Sequence, residues 1–120
     1  MTLTQERKVI LFKPQGSIDL DRGTALSEQM IGVNTQEQQL WVIDLAEVDF
    51  MDSSGLVPLV ELLKTARENS CRLVLCNVQT PVRLIFELTQ LDSVFEIFNS
   101  YEDILAIAQN TQDDYLALAS

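Results

Sequence analysis

The 120-residue sequence predicts an α/β fold, with a mixed, mainly parallel sheet of four to five strands and about four helices. Short apolar runs typical of buried strands alternate with segments whose apolar residues recur at helical spacing. This alternation indicates parallel strands joined by helical crossovers. No repeat, low-complexity tract or linker rich in proline and glycine divides the chain. We therefore expect one domain over residues 1–120, with a tail that frays after about residue 110.

The strand predictions depend on apolar content and on turn signals. Residues 9–12 are rich in β-branched and aromatic side chains and lead to a turn signal at residues 14–16. Residues 41–45 are apolar on both faces, as expected of a central strand. Residues 71–78 and 95–98 predict two later strands.

The first two helices are predicted from the spacing of apolar residues. From Thr24 onward these residues recur at intervals of three and four. A second helix is expected to follow a turn at residues 52–55 and to continue to about residue 69.

The last two helices are predicted from their starting residues. Thr80 and Pro81 are typical of an N-cap and of a first helical residue. Ser100 with Asp103 three residues later resembles a capping box, although aspartate replaces the usual glutamate or glutamine.

Charge and cysteine usage narrow the classes of function. Eighteen acidic and eight basic residues give a formal charge of −10, which disfavours binding to nucleic acid and to anionic membranes. This charge either attracts a partner with a basic face or simply keeps the domain soluble. The sequence contains no histidine, and an odd separation places Cys71 and Cys76 on opposite faces of one strand. A structural zinc site and a disulfide are therefore not expected.

The sequence also predicts a location in the cell. Its apolar stretches are too short to span a bilayer, and its first residues lack the basic and apolar regions of a signal peptide. We therefore expect a cytoplasmic protein.

The candidate site is the turn formed by Asp52, Ser53, Ser54 and Gly55, where a strand leads into a helix. Each of the first three residues is a good N-cap, so capping is the simplest role. A phosphate on Ser53 would also meet unpaired backbone N–H groups and the positive end of the helix dipole. Capping by this turn and phosphorylation of Ser53 are therefore compatible with each other.

Catalysis by Ser53 has little support in the sequence. A serine hydrolase needs a base, and without histidine only a dyad with Lys64 or Lys13 is available. No oxyanion motif accompanies such a dyad. The sequence thus predicts that Ser53 is not a catalytic nucleophile and that the chain is not an enzyme.

Two other phosphate chemistries also lack their motifs. Asp52 does not fit the phosphoaccepting aspartate of response-regulator receivers, because Asp19 and Asp21 are a poor acidic pair and the late lysine is missing. No glycine-rich nucleotide-binding loop is present. We therefore expect no bound cofactor and no metal ion.

The helix after the turn carries an apolar arc of roughly 220°. That arc is broader than one core-facing stripe requires. Either the helix is wedged deeply between its neighbours, or Val57 or Leu62 contacts a partner protein. Pro58 falls on the remaining part of the helix surface, together with charged residues.

Several segments, taken in order, resemble the STAS family and specifically its bacterial anti-sigma factor antagonists. Residues 16–19 are similar to the family's turn before the first helix. Residues 42–45 and 48–56 are similar to its most diagnostic segment. Residues 73–78 and 81–86 resemble a later strand and helix, so the resemblance covers nearly the whole chain.

The resemblance implies a STAS-like domain that acts as an anti-sigma factor antagonist in transcription regulation. Its implied partner is an anti-sigma factor that is also a serine kinase of the histidine-kinase-like ATPase fold. The unphosphorylated chain would sequester this kinase, and phosphorylation on Ser53 would release it. A metal-dependent serine phosphatase would restore binding, and ATP and Mg²⁺ would belong to the partners alone.

The resemblance also implies a binding surface. Asp19 would belong to that surface, and Asp52 would shape the acceptor loop. The family often has glycine, leucine and glycine after its motif, whereas Val57 and Pro58 follow here, which leaves the identity of the kinase open. The residues expected to bind the partner are Asp19, Asp52, Ser54, Gly55, Leu56 and Val57.

Two alternatives remain open at this stage. One is a STAS scaffold or transporter-associated subunit that is not phosphorylated. The other is a small-molecule or nucleotide binder that uses the helix N-terminus as an anion site.

Overall fold

Two β-sheets, each built of parallel strands, form the framework of the computed structural model, which describes residues 9–33 and 39–109. The strands are β1 (Val9–Phe12), β2 (Gln15–Ile18), β3 (Leu40–Asp44), β4 (Glu47–Met51), β5 (Arg72–Cys76) and β6 (Glu96–Phe98). The main sheet has four strands in the order β1–β3–β5–β6, and β2 pairs with β4 in a separate two-stranded sheet. This arrangement confirms the predicted α/β class, and every strand pairing is parallel.

Four α-helices and two short 3₁₀ turns accompany these strands in the described part of the chain, and the last helix follows β6. The first 3₁₀ turn, Ser53–Gly55, leads directly into the second helix, and the other, Leu91–Ser93, precedes β6. The chain twice follows the sequence strand, strand, helix, so that β1 pairs with β3 while β2 pairs with β4. The helices are α1 (Leu20–Val33), α2 (Leu56–Glu68), α3 (Thr80–Leu88) and α4 (Tyr101–Gln109).

Strand β3, inside the main sheet, is buried on both faces, as the sequence predicted for a central strand. All five residues of β3 are buried. Trp41 and Ile43 point into the larger core, which contains side chains of α1, α2 and α3. Val42 points into a smaller core on the opposite face, where it meets Ile104 of α4. The alternation follows from the two-residue period of a strand.

Helix α1 begins four residues before the start predicted at Thr24, at Leu20. The Asp19 carboxylate accepts a hydrogen bond from the backbone N–H of Arg22 at 2.9 Å and so caps the first turn. That turn is solvent-exposed at Leu20 and Asp21, so it lacks the apolar spacing on which the prediction relied.

The other two predicted caps have different outcomes. Thr80 is the first residue of α3, and Gln79 occupies the N-cap position without a side-chain cap bond, so the predicted cap is wrong by one residue. At α4 the backbone N–H of Asp103 donates to the Ser100 hydroxyl at 3.1 Å, which confirms that half of the predicted capping box. The predicted fraying after residue 110 lies outside the described residues.

Candidate functional site

The candidate site is organised by the carboxylate of Asp52, which caps the turn Ser53–Gly55. Asp52 has an extended backbone, with φ −92° and ψ 165°. One of its carboxylate oxygens, Oδ1, accepts from the backbone N–H of Ser54 at 2.8 Å and of Gly55 at 3.2 Å. The same oxygen accepts a short hydrogen bond from the Ser54 hydroxyl. Asp52 therefore caps the 3₁₀ turn as the sequence expected, whereas α2 itself has Gly55 at its N-cap position and no side-chain cap bond.

These bonds lower the pKa of Asp52 below its ordinary value. The Ser54 hydroxyl is the largest cause, and the N–H groups of Gly55 and Ser54 add to it, while desolvation opposes the shift. Asp52 is therefore a carboxylate at neutral pH, and its hydrogen bonds hold Ser54 and Gly55, the two residues that follow Ser53.

Ser53 itself is exposed on the surface. Within residues 9–33 and 39–109, no side chain or backbone group makes a hydrogen bond with its hydroxyl. The hydroxyl is thus accessible and is not needed to cap the turn. The sequence expected unpaired N–H groups to meet a phosphate here, but Asp52 already binds the N–H groups of Ser54 and Gly55.

The turn that contains Asp19 packs directly against this site. The backbone N–H of Asp52 donates to the carbonyl oxygen of Ile18 at 3.2 Å. A Cβ atom added to Gly55 would lie 2.7 Å from that same oxygen and 3.2 Å from the Asp19 carbonyl oxygen. Only glycine allows the two turns to come this close, so Asp19 and Ser53 are brought to one region of the surface.

A groove of about 390 Å³ runs from Ser53 along α2. Its walls come from α2 and from the region between α3 and β6, which the sequence did not connect with the site. Thr89 and Leu91 belong to this missed wall, because only the tertiary fold brings them beside α2. The groove is lined by Ser53, Leu56, Val57, Val60, Glu61, Lys64, Thr89 and Leu91.

The residues expected to bind a partner differ in their exposure. Asp19, Ser54 and Val57 are exposed, with Val57 at 53%, whereas Asp52 is half-buried. Leu56 is 3% exposed and Gly55 is buried, so they support the surface from below.

The surface predicted for α2 is wrong at two residues, because both are buried. Leu62 is fully buried and therefore cannot contact a partner, which leaves Val57 as the exposed member of that pair. Pro58 is also buried and lies against Gly23 of α1, so its predicted place among the charged residues is wrong.

The lysines considered for catalysis are not joined to Ser53. Lys13 forms an ion pair with Glu47 at 3.6 Å. Lys64 lines the same groove as Ser53, but no hydrogen bond connects them in the described part of the chain.

Residues 9–33 and 39–109 contain neither a cluster of metal ligands nor a membrane-spanning helix. No group of three or more histidine, cysteine, aspartate or glutamate side chains is placed there to hold a metal ion. None of the helices in these ranges combines the length and the apolar character needed to cross a membrane.

The fold and the turn together define a small α/β domain of parallel strands that presents a serine beside a capping aspartate. A family model described as the STAS domain matches residues 1–104, and the chain belongs to that family. The anti-sigma-B factor antagonist of Listeria monocytogenes is 33% identical over 84 residues, which cover 70% of this chain and 74% of that protein.

Solved structures show the same fold. An anti-sigma factor antagonist from Mycobacterium paratuberculosis has a TM-score of 0.67 at 27% identity, covering 82% of this chain and 84% of that one. A sulfate transporter family protein from Wolinella succinogenes has a TM-score of 0.74 at 14% identity, covering 93% and 88%. The second likeness concerns the fold alone. Relatives of this chain are thus named anti-sigma factor antagonists, and the fold also occurs in a transporter family.

Proposed function

We propose that this chain is an anti-sigma factor antagonist whose binding is switched by phosphorylation of Ser53. The observation that carries the proposal is the exposed Ser53 hydroxyl, held beside a capping turn that does not use it. Relatives named anti-sigma factor antagonists support the same assignment. In this function the chain is a cytoplasmic, single-domain binding protein without catalytic activity or cofactor, and residues 1–120 form that domain.

The proposed partner is an anti-sigma factor that is also a serine kinase of the histidine-kinase-like ATPase fold. It would cover the surface around Asp19, Asp52, Ser54 and Val57, and it would extend into the groove beside Ser53. The formal charge of −10 favours a basic face on this partner. A serine phosphatase would reverse the modification. Neither nucleic acid nor membrane insertion is part of the proposal.

The switch follows from the charge of a phosphate. Phosphorylation adds about −1.5 to −2 charge to the surface. The Ser54 and Gly55 N–H groups are already bound by Asp52, so they do not neutralise the added charge. A partner fitted to the unmodified groove would therefore be blocked by the size of the phosphate, and it would have to bury a charge that the turn does not compensate.

The direct test incubates the purified chain with ATP and with purified kinases of this fold from the source organism. We expect phosphate on Ser53, located by mass spectrometry, and none on the Ser53→Ala variant. Ser93→Ala, at another exposed serine, is the matched control and should be modified like the wild type. Failure of every candidate kinase to modify Ser53 would count against the switch.

Binding measurements separate the switch from a scaffold role. Ser53→Ala should bind the kinase as tightly as the wild type, whereas Ser53→Glu should bind at least about tenfold more weakly. Binding to a membrane ATPase complex that Ser53→Glu does not alter would instead support a scaffold or transporter-associated subunit.

A further inference from the structure

Helix α1 contacts the turn Ser53–Gly55, here called the acceptor turn, through a glycine. A Cβ atom added to Gly23 would lie 2.7 Å from Cγ of Pro58 and 2.9 Å from the carbonyl oxygen of Gly55. Both distances are shorter than ordinary contacts of a Cβ atom, so any larger side chain at position 23 requires a neighbour to move. The neighbours that must move are the last residue of the acceptor turn and the first turn of α2.

Neither neighbour can move freely. The Pro58 ring is rigid, and it is buried in the first turn of α2, where the missing N–H of proline is tolerated. Gly55 is confined from the other side, because a Cβ atom on it would lie 2.7 Å from the Ile18 carbonyl oxygen. The acceptor turn is therefore held between the start of α1 and the end of β2.

We propose that Gly23 is a positioning residue, which sets the place of Ser53 through its contacts with Pro58 and Gly55. This inference rests on the proposed phosphorylation of Ser53. Because Gly23 has no side chain, the surface of α1 leaves room at this position for the Pro58 ring. The glycine in α1 and the proline in α2 therefore fit each other as a pair. Their fit keeps the turn of Asp52 and Ser53 in one orientation toward a kinase.

The test compares two glycine-to-alanine variants in the same helix. Gly23→Ala adds a methyl group against Pro58, whereas Gly32→Ala adds one where no atom of the described residues, apart from its own stretch of α1, lies within 4 Å. The first readout is the pKa of the Asp52 carboxyl, followed by NMR, because it reports whether Ser54 and Gly55 still donate to it. The second is the initial rate of Ser53 phosphorylation by the kinase that modifies the wild type.

We expect Gly23→Ala to raise the Asp52 pKa toward its ordinary value and to lower the phosphorylation rate about fivefold, a factor that corresponds to roughly 1 kcal/mol. Gly32→Ala should change neither. Adding Pro58→Ala to Gly23→Ala should recover part of both effects, since it removes the closer contact and leaves the one with Gly55.

An unchanged Asp52 pKa together with a rate within about twofold of Gly32→Ala would overturn the inference. If Gly23→Ala does not fold, the Pro58→Ala variant is compared with the double variant of Gly23→Ala and Pro58→Ala. Both of these lack the proline ring, and both readouts are measured on each. If no kinase modifies the wild type, the proposed function fails, while the Asp52 pKa still decides whether Gly23 positions the turn.

Discussion

The guanidinium of Arg72 binds the carboxylate of Glu96 with two parallel hydrogen bonds, Nε to Oε1 at 2.8 Å and Nη2 to Oε2 at 2.7 Å. Arg72 begins β5 and Glu96 begins β6, so the ion pair joins the first residues of two neighbouring strands. Strand β6 has three residues and lies at the edge of the sheet. We therefore expect this side-chain pair to support an otherwise short edge.

Replacing Arg72 tests that support. Arg72→Met should lower the free energy of unfolding by about 1 kcal/mol, at the upper end for exposed ion pairs because the geometry is bidentate. Urea denaturation measures the change. Arg83→Met, on α3, is the control and should change the stability by less than about 0.5 kcal/mol. Equal effects of the two substitutions would contradict a specific role for the pair.

The same pair predicts a dependence on pH. Hydrogen bonds from Arg72 hold the pKa of Glu96 below its ordinary value, against desolvation. A carboxyl whose pKa is lower in the folded than in the unfolded chain stabilises the folded state at pH values above its unfolded pKa, near 4.3. This contribution is lost as the pH falls through the pKa of the folded state. The stability difference between wild type and Arg72→Met should therefore narrow below about pH 4.3. A difference that stays constant down to acid unfolding would contradict the assignment.

Val57 and Leu62 should separate binding from stability. Leu62 is fully buried, so Leu62→Ala should lower the free energy of unfolding by about 3 kcal/mol. Val57 is 53% exposed, so Val57→Ala should cost less than about 0.5 kcal/mol. Titration calorimetry should instead show weaker kinase binding by Val57→Ala. A large loss of stability in Val57→Ala would show that its side chain is part of the core.

Cys76 should be protected from reaction in the folded state. Burial raises the pKa of its thiol to about 11, and the charges of Asp44 and Glu102 add to the shift. The fraction of reactive thiolate should therefore be roughly a hundredfold lower than in the unfolded chain. Labelling with a thiol reagent at pH 8, with and without urea, measures this protection by mass spectrometry. Ser93→Cys supplies an exposed reference thiol, and equal labelling of both sites without urea would contradict the prediction.

The sequence correctly predicted the features that depend on residues close together in the chain. The burial of β3 follows from its continuous apolar run, and the cap by Asp52 follows from residue type at a strand-to-helix turn. The separate pairing of β2 with β4 was not predictable in this way, because each strand is short and the partner lies about thirty residues away. The early start of α1 was missed because its first turn has no apolar period.

Contacts between distant segments also decided the unpredicted parts of the site. The position of Pro58 on a helical wheel placed it among charged residues, but close approach by Gly23 buries it. The groove likewise depends on Leu91, which lines it together with Ser53 only because a later segment packs beside α2. Phosphorylation of Ser53 stays a prediction that the proposed kinase experiment tests.

The position of α4 identifies a place where a label or linker can be attached without covering the groove. Ile104 packs on the face of the main sheet opposite the core that contains Leu56, the residue beneath the acceptor turn. A dye or an immobilising linker attached to the outer surface of α4, at Glu102 for example, should therefore leave the groove beside Ser53 unobstructed. Binding partners could then be captured from solution on a surface that presents every molecule in the same orientation.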